Sequence, residues 1–120
     1  MTQHDPTTQF SDALATINRC DDHRRTVVSV HGELDLANVA LLRRSLDRPG
    51  RHLEIDLSEA GFLDGAVIRV LTEAAEARSR TGGSFRIGQL RRFHASLLDQ
   101  LGLADVLGIT SDVVVRETTA

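Results

Sequence analysis

Asp35 and Asp64 are the residues of this sequence whose type could support acid–base work, since two carboxylates brought together can divide proton donation from proton abstraction. Each also stands just before a segment of helical periodicity, where Asp serves as a turn former or an N-cap. Asp64 therefore reads as a cap. Asp35 reads either as a turn stabiliser or as a partner contact, and Glu33, in the same turn, as a solvated charge or contact rather than a catalyst. The five histidines, His4, His23, His31, His52 and His94, show no H-x-x-x-H spacing, and Cys20 is the lone cysteine. No metal site and no cofactor is expected from them. No neighbouring base marks Cys20 as a nucleophile, so it reads as a structural or surface thiol. The pairs Arg24-Arg25, Arg43-Arg44 and Arg91-Arg92 could grip anions with two parallel bonds, yet acidic neighbours alternate with them, as on a solvated face. Gly88-Gln89-Leu90 lacks the glycine-rich phosphate loop and its Lys. An enzyme is therefore not expected.

The bulk properties agree with a binding module. The chain has 120 residues, enough for one core and too few for two domains. Fourteen basic residues, all Arg, face seventeen acidic ones for a net charge of −3, which argues against a nucleic-acid binder. With no apolar run near the length of a membrane span, and no basic or apolar leader in residues 1–12, the expectation is a cytoplasmic protein with no direct membrane insertion.

The elements that must position these residues follow from hydrophobic period. Residues 1–12 read as a mobile polar arm. Residues 13–19 read as a weak strand, 20–25 as a polar turn, and the β-branched run 26–31 as a second strand. Val39, Leu42 and Leu46 then recur at helical spacing, predicting a helix over 37–47 stopped by Pro49-Gly50. Leu53, Ile55 and Leu57 alternate as a strand over 51–57, followed by a loop over 58–61. A second helix is expected over 65–80, with Val67, Val70, Leu71, Ala74 and Ala75 as its buried stripe and Gly82-Gly83 as its stop. Residues 84–88 read as a strand and 91–101 as a third helix, with Phe93, Leu97 and Leu101 as its inner face. Residues 105–109 read as a short strand or turn, and 112–116 as an edge strand. The sum is an α/β fold: a mixed four- to five-stranded sheet with helices packed mainly on one face.

Three segments in fixed order carry a resemblance: HGELDLANVALLRRSL, LEIDLSEAGFLDGAVIRVL and GGSFRIGQLRRFHASLLDQLGL. With Gly32-Glu33-Leu34-Asp35 before the first helix, Asp56-Leu57-Ser58 closing a strand and a helix ending Leu98–Leu103, the chain resembles the STAS domain, the family of bacterial anti-sigma factor antagonists. The resemblance implies a STAS domain over 13–110, with 111–120 as a C-terminal strand or tail. It also implies a non-catalytic regulator whose partner is an anti-sigma factor of the serine-kinase type or another regulatory protein, freeing a sigma factor by partner exchange. The contact residues it implies are Glu33, Asp35, Leu36, Asn38, Asp64, Gly65, Ala66, Val67 and Arg69.

One departure matters. The family's Asp-Ser-Ser-Gly-Leu corresponds here to Asp64-Gly65-Ala66-Val67-Ile68. The second Ser of that motif is the family's phosphoacceptor, and its position is held by Ala66, which has no hydroxyl. Ser58 belongs to the strand end and does not inherit the role. Two other classes stand beside this reading: a STAS accessory or scaffold subunit of a larger signalling or transporter complex, and a small enzyme.

Overall fold

The computed structural model describes residues 7–22, 24–47 and 52–117. Its elements run β1 (Thr7–Ser11), β2 (Ala15–Asp21), β3 (Arg25–Glu33), α1 (Val39–Ser45), β4 (His52–Phe62), α2 (Gly65–Arg80), β5 (Ser84–Arg91), α3 (Arg92–Gln100) and β6 (Val114–Arg116). They form a mixed six-stranded sheet in the order β1-β2-β3-β4-β5-β6, two strands more than the lower expectation. The first three strands form an antiparallel meander, and β3 to β6 are parallel neighbours.

Alternation decides which face of the sheet is core. Ile17, Val28, Val30, Leu53, Ile55, Leu57 and Ile87 are all at most 1% exposed and meet Leu42, Val67, Leu71 and Leu98 from the helices. Each such side chain contributes about 1.5–3 kcal/mol on burial. The intervening residues are polar: Glu54 reaches Arg25 at 3.7 Å and Arg86 at 3.6 Å, and His52 Nδ1 lies 2.8 Å from Ser84 Oγ.

Several expectations need correction. Residues 7–11 of the expected arm form a strand, paired from Thr7↔Cys20 to Ser11↔Thr16. Asp12 makes the hairpin, its Oδ1 accepting the N–H groups of Leu14 (2.8 Å) and Ala15 (2.9 Å). The expected loop over 58–61 is strand, because β4 absorbs two register shifts against β3 and keeps pairing to Glu33↔Phe62. There Ser58 donates both its N–H (2.8 Å) and its hydroxyl (2.6 Å) to Asp56 Oδ1. Helix α3 is turned by one residue, about 100°. Phe93 is 67% and Leu101 53% exposed, while His94 and Leu98 face inward. The helix follows β5 with no intervening loop, so the strand sets its rotation. Residues 105–109 form turns around the buried Leu107, whose carbonyl accepts the Ile87 N–H at 3.1 Å. Residues 1–6, His23, the Pro49-Gly50 stop and residues 118–120 lie outside the described residues.

Among the described residues two arginines, Arg19 and Arg78, are buried in the core layer. Arg19 donates to the carbonyls of Ser45 (2.9 Å) and Asp47, and Arg78 to those of Leu46 (3.1 Å) and Ala74 (3.4 Å). Both cations thus sit at the C-terminal end of α1, where unpaired carbonyls leave partial negative charge. Asp21 balances Arg19 at 2.9 Å.

Candidate functional site

The parallel strands β3 and β4 are neighbours, so the crossovers that leave their C-terminal ends emerge side by side. The first is a locked turn. Gly32 sits at φ +99°, and a Cβ there would come within 2.3 Å of the Leu14 carbonyl oxygen. Leu34 is buried as an anchor. Asn38 Oδ1 accepts the Asp35 N–H at 2.8 Å, its amide donates to the Glu33 carbonyl at 3.0 Å, and Asp35 Oδ1 accepts the Ala37 N–H at 2.8 Å. With its neighbours held this way, Leu36 projects outward, 76% exposed. Helix α1 therefore begins at Val39, two residues later than expected.

The second crossover is the start of α2. Asp64 has extended N-cap geometry, and its Oδ1 accepts the Val67 N–H at 3.0 Å. Its Oδ2 reaches back to the Leu36 N–H at 3.1 Å. One carboxylate therefore caps the helix and ties the preceding turn to it. Asp35 serves as a turn former through its Oδ1 and Asp64 as a cap with both oxygens engaged by backbone N–H groups.

These residues border an open cleft of about 570 Å³ between α1 and α2. Leu36, Asp64, Gly65, Ala66 and Arg69 line it, as do three residues that the sequence reading missed, Val39, Arg43 and Val70. The signal for the missed ones was helical spacing: Arg43 follows Val39 by four, and Val70 follows Ala66 by four. Arg43 bridges to Glu73 at 3.0 Å, joining the two helices. Glu33, Asp35 and Asn38 build the turn without lining the cleft. The Glu33 side chain lies over Gly61, where a Cβ would meet its Oε1 at 2.2 Å. Val67 is a correction: at 0% exposure it is a core residue and presents nothing to a partner.

Elsewhere, His94 is 3% exposed, and burial followed by the charge of Arg91 pushes its pKa down. Among the described residues no three His, Cys, Asp or Glu side chains are grouped to hold a metal ion. No helix among them is long and apolar enough to cross a membrane.

The family described as "Mlab, STAS domain" matches residues 18–111. The chain belongs to the STAS domain family. A similar solved structure is that of an anti-sigma factor antagonist from Mycobacterium paratuberculosis, with a TM-score of 0.69 and 24% identity, covering 82% of this chain and 88% of that one. That likeness carries the fold. No curated protein matches the chain. In this STAS domain the cleft joins the turn before α1 to the start of α2, which lie in two of the three segments that carry the resemblance in sequence.

Proposed function

We propose that this STAS protein is a non-catalytic cytoplasmic regulator that docks on an anti-sigma factor of the kinase type, or a related regulator, through the mouth of the α1–α2 cleft. The observation that supports it most is the state of that mouth. Gly65 is exposed with nothing within 4 Å of a Cβ, Ala66 is half-buried, and Leu36 stands beside them in solvent. An exposed leucine on a hydrogen-bonded turn, next to a small, neutral helix start and above an apolar cleft, supports docking at this mouth. In relatives that carry Ser at the position of Ala66, phosphorylation would place about −1.5 to −2 charges there and oppose docking. Here no phosphoester can form at residue 66, so the mouth stays in its binding-competent condition and control passes to expression level or to another partner.

The test compares capture of partners from the source cell by the wild-type protein and by Ala66→Asp. A kinase-type anti-sigma factor retained by the wild type and lost from the variant is the expected result. Equal capture by both proteins overturns docking at this mouth. Retention of a megadalton particle or a membrane complex replaces the antagonist reading with the scaffold or accessory-subunit one.

A further inference from the structure

The cleft holds one charge that has no partner among the described residues. Arg43 is engaged by Glu73, and the Asp64 carboxylate is occupied by the Leu36 and Val67 N–H groups. Arg69, exposed on the first turns of α2, makes no hydrogen bond or ion pair with the other described residues. Leu36, Val39, Ala66 and Val70 make the rest of the wall apolar. An apolar cleft of this volume with a single free guanidinium at its edge has a definite complement. Apolar atoms fill the floor, and a carboxylate receives the two parallel N–H donors of the arginine. A basic group would meet like charge from Arg69, and each oxygen of the Asp64 carboxylate is already engaged by a backbone N–H.

We infer that the cleft takes an apolar side chain of the partner lying next to a partner Asp or Glu, which seats on Arg69. This rests on the docking reading above and adds the partner's chemistry. The occupant is a protein segment rather than a free small acid, because Leu36, on the rim of the cleft, is 76% exposed and is fully covered only by something that extends past the cleft.

The chemistry can be read with probes of matched shape. The isotope-labelled protein is titrated with 3-phenylpropionate, with the neutral 3-phenylpropanamide and with the cationic 3-phenylpropylamine, and followed by NMR. The expected result is movement of the Leu36, Gly65, Ala66 and Arg69 amides, with the acid bound about fivefold more tightly than the amide and the amine weakest. In Arg69→Gln the acid falls to the level of the amide while the amide is unchanged, which also shows that the cleft is intact. Salt at about 0.5 M shrinks the preference of the wild type. Equal affinity for acid and amide, a preference that survives Arg69→Gln, or shifts confined to another surface overturns the assignment. Acid selectivity together with unchanged partner capture by Arg69→Glu overturns the choice of a protein occupant. The two readings fail separately: loss of acid preference removes the Arg69 role whatever Ala66→Asp does to capture, and unaffected capture by Ala66→Asp removes docking at the mouth whatever the probes do.

Discussion

The Asp64 carboxylate accepts the Val67 N–H of its own helix at 3.0 Å and the Leu36 N–H of the preceding crossover at 3.1 Å. The two roles separate by substitution. Asp64→Ala removes both and should destabilise the protein by about 1–2 kcal/mol in urea titrations, the range for a lost N-cap. Asp64→Asn keeps one carbonyl oxygen for Val67 but turns an amide donor toward Leu36. It should therefore retain most of the stability while the Leu36 amide exchanges faster with solvent. An Asn variant with unchanged Leu36 exchange would show that the tether does not hold the turn.

The glycines at the two crossovers are expected to respond in opposite ways. Gly32→Ala puts a methyl against the Leu14 carbonyl at positive φ and should cost about 2–3 kcal/mol. Gly65→Ser adds a side chain into open space at the start of α2 and should change stability by less than about 0.5 kcal/mol. Open space around a Cβ at residue 65 means that packing does not require glycine there. Chemical denaturation of both variants checks the contrast.

Legibility in the sequence tracked how local each determinant was. Helix α2 was expected over 65–80 and spans Gly65–Arg80, because both ends are written in its own residues. Asp64 caps the start, and Gly82 at φ +77° lets the Gly83 N–H close on the Arg78 carbonyl at 2.8 Å. Strand β1 had no such signal. Its pattern is polar, its side chains are largely exposed, and only pairing with β2 defines it. The face of α3 differs for another reason: the sequence offers Phe93, Leu97 and Leu101 as an inner row, yet the rotation imposed by β5 buries His94 and Leu98. At the site, helix-start and turn residues were readable, whereas Val39, Arg43 and Val70 needed the α1–α2 approach that brings them together.

The buried histidine makes stability depend on pH in a defined direction. Burial first, and the Arg91 charge second, lower the His94 pKa from its ordinary 6.5, and its buried Nδ1 has no hydrogen-bond partner among the described residues. Unfolding restores the ordinary value, so below it the unfolded chain binds more protons than the folded one. This contribution is complete above about pH 6.5 and is lost as pH falls toward the folded value. Denaturation midpoints followed from about pH 7.5 down to 5.5 should decline in the wild type and decline less in His94→Gln. Equal slopes would place the titration elsewhere.

Arg78 should prove structural despite its charge. It is 4% exposed, and burial together with the nearby Arg19 charge lowers its pKa. Arg78→Met keeps much of the volume and relieves the repulsion, but leaves the Leu46 carbonyl without its donor. The net loss should be about 1–3 kcal/mol, the range for a buried group left unpaired. A neutral or stabilising result in calorimetry would mean that repulsion between the two guanidiniums outweighs their carbonyl bonds.

Leu36 should behave in the reverse manner. Its side chain is 76% exposed, so Leu36→Ser removes almost no buried surface and should leave the denaturation midpoint within about 0.5 kcal/mol of the wild type. The backbone N–H that meets Asp64 is retained, and the turn keeps its shape. Partner capture, by contrast, should fall by about tenfold or more, since an apolar side chain held out by a rigid turn is the kind of anchor whose truncation costs over 1 kcal/mol in binding. Stability and binding measured on the same variant separate an interface residue from a structural one. A Leu36→Ser protein that keeps full capture would show that the mouth is covered by nothing and that the partner sits on another surface.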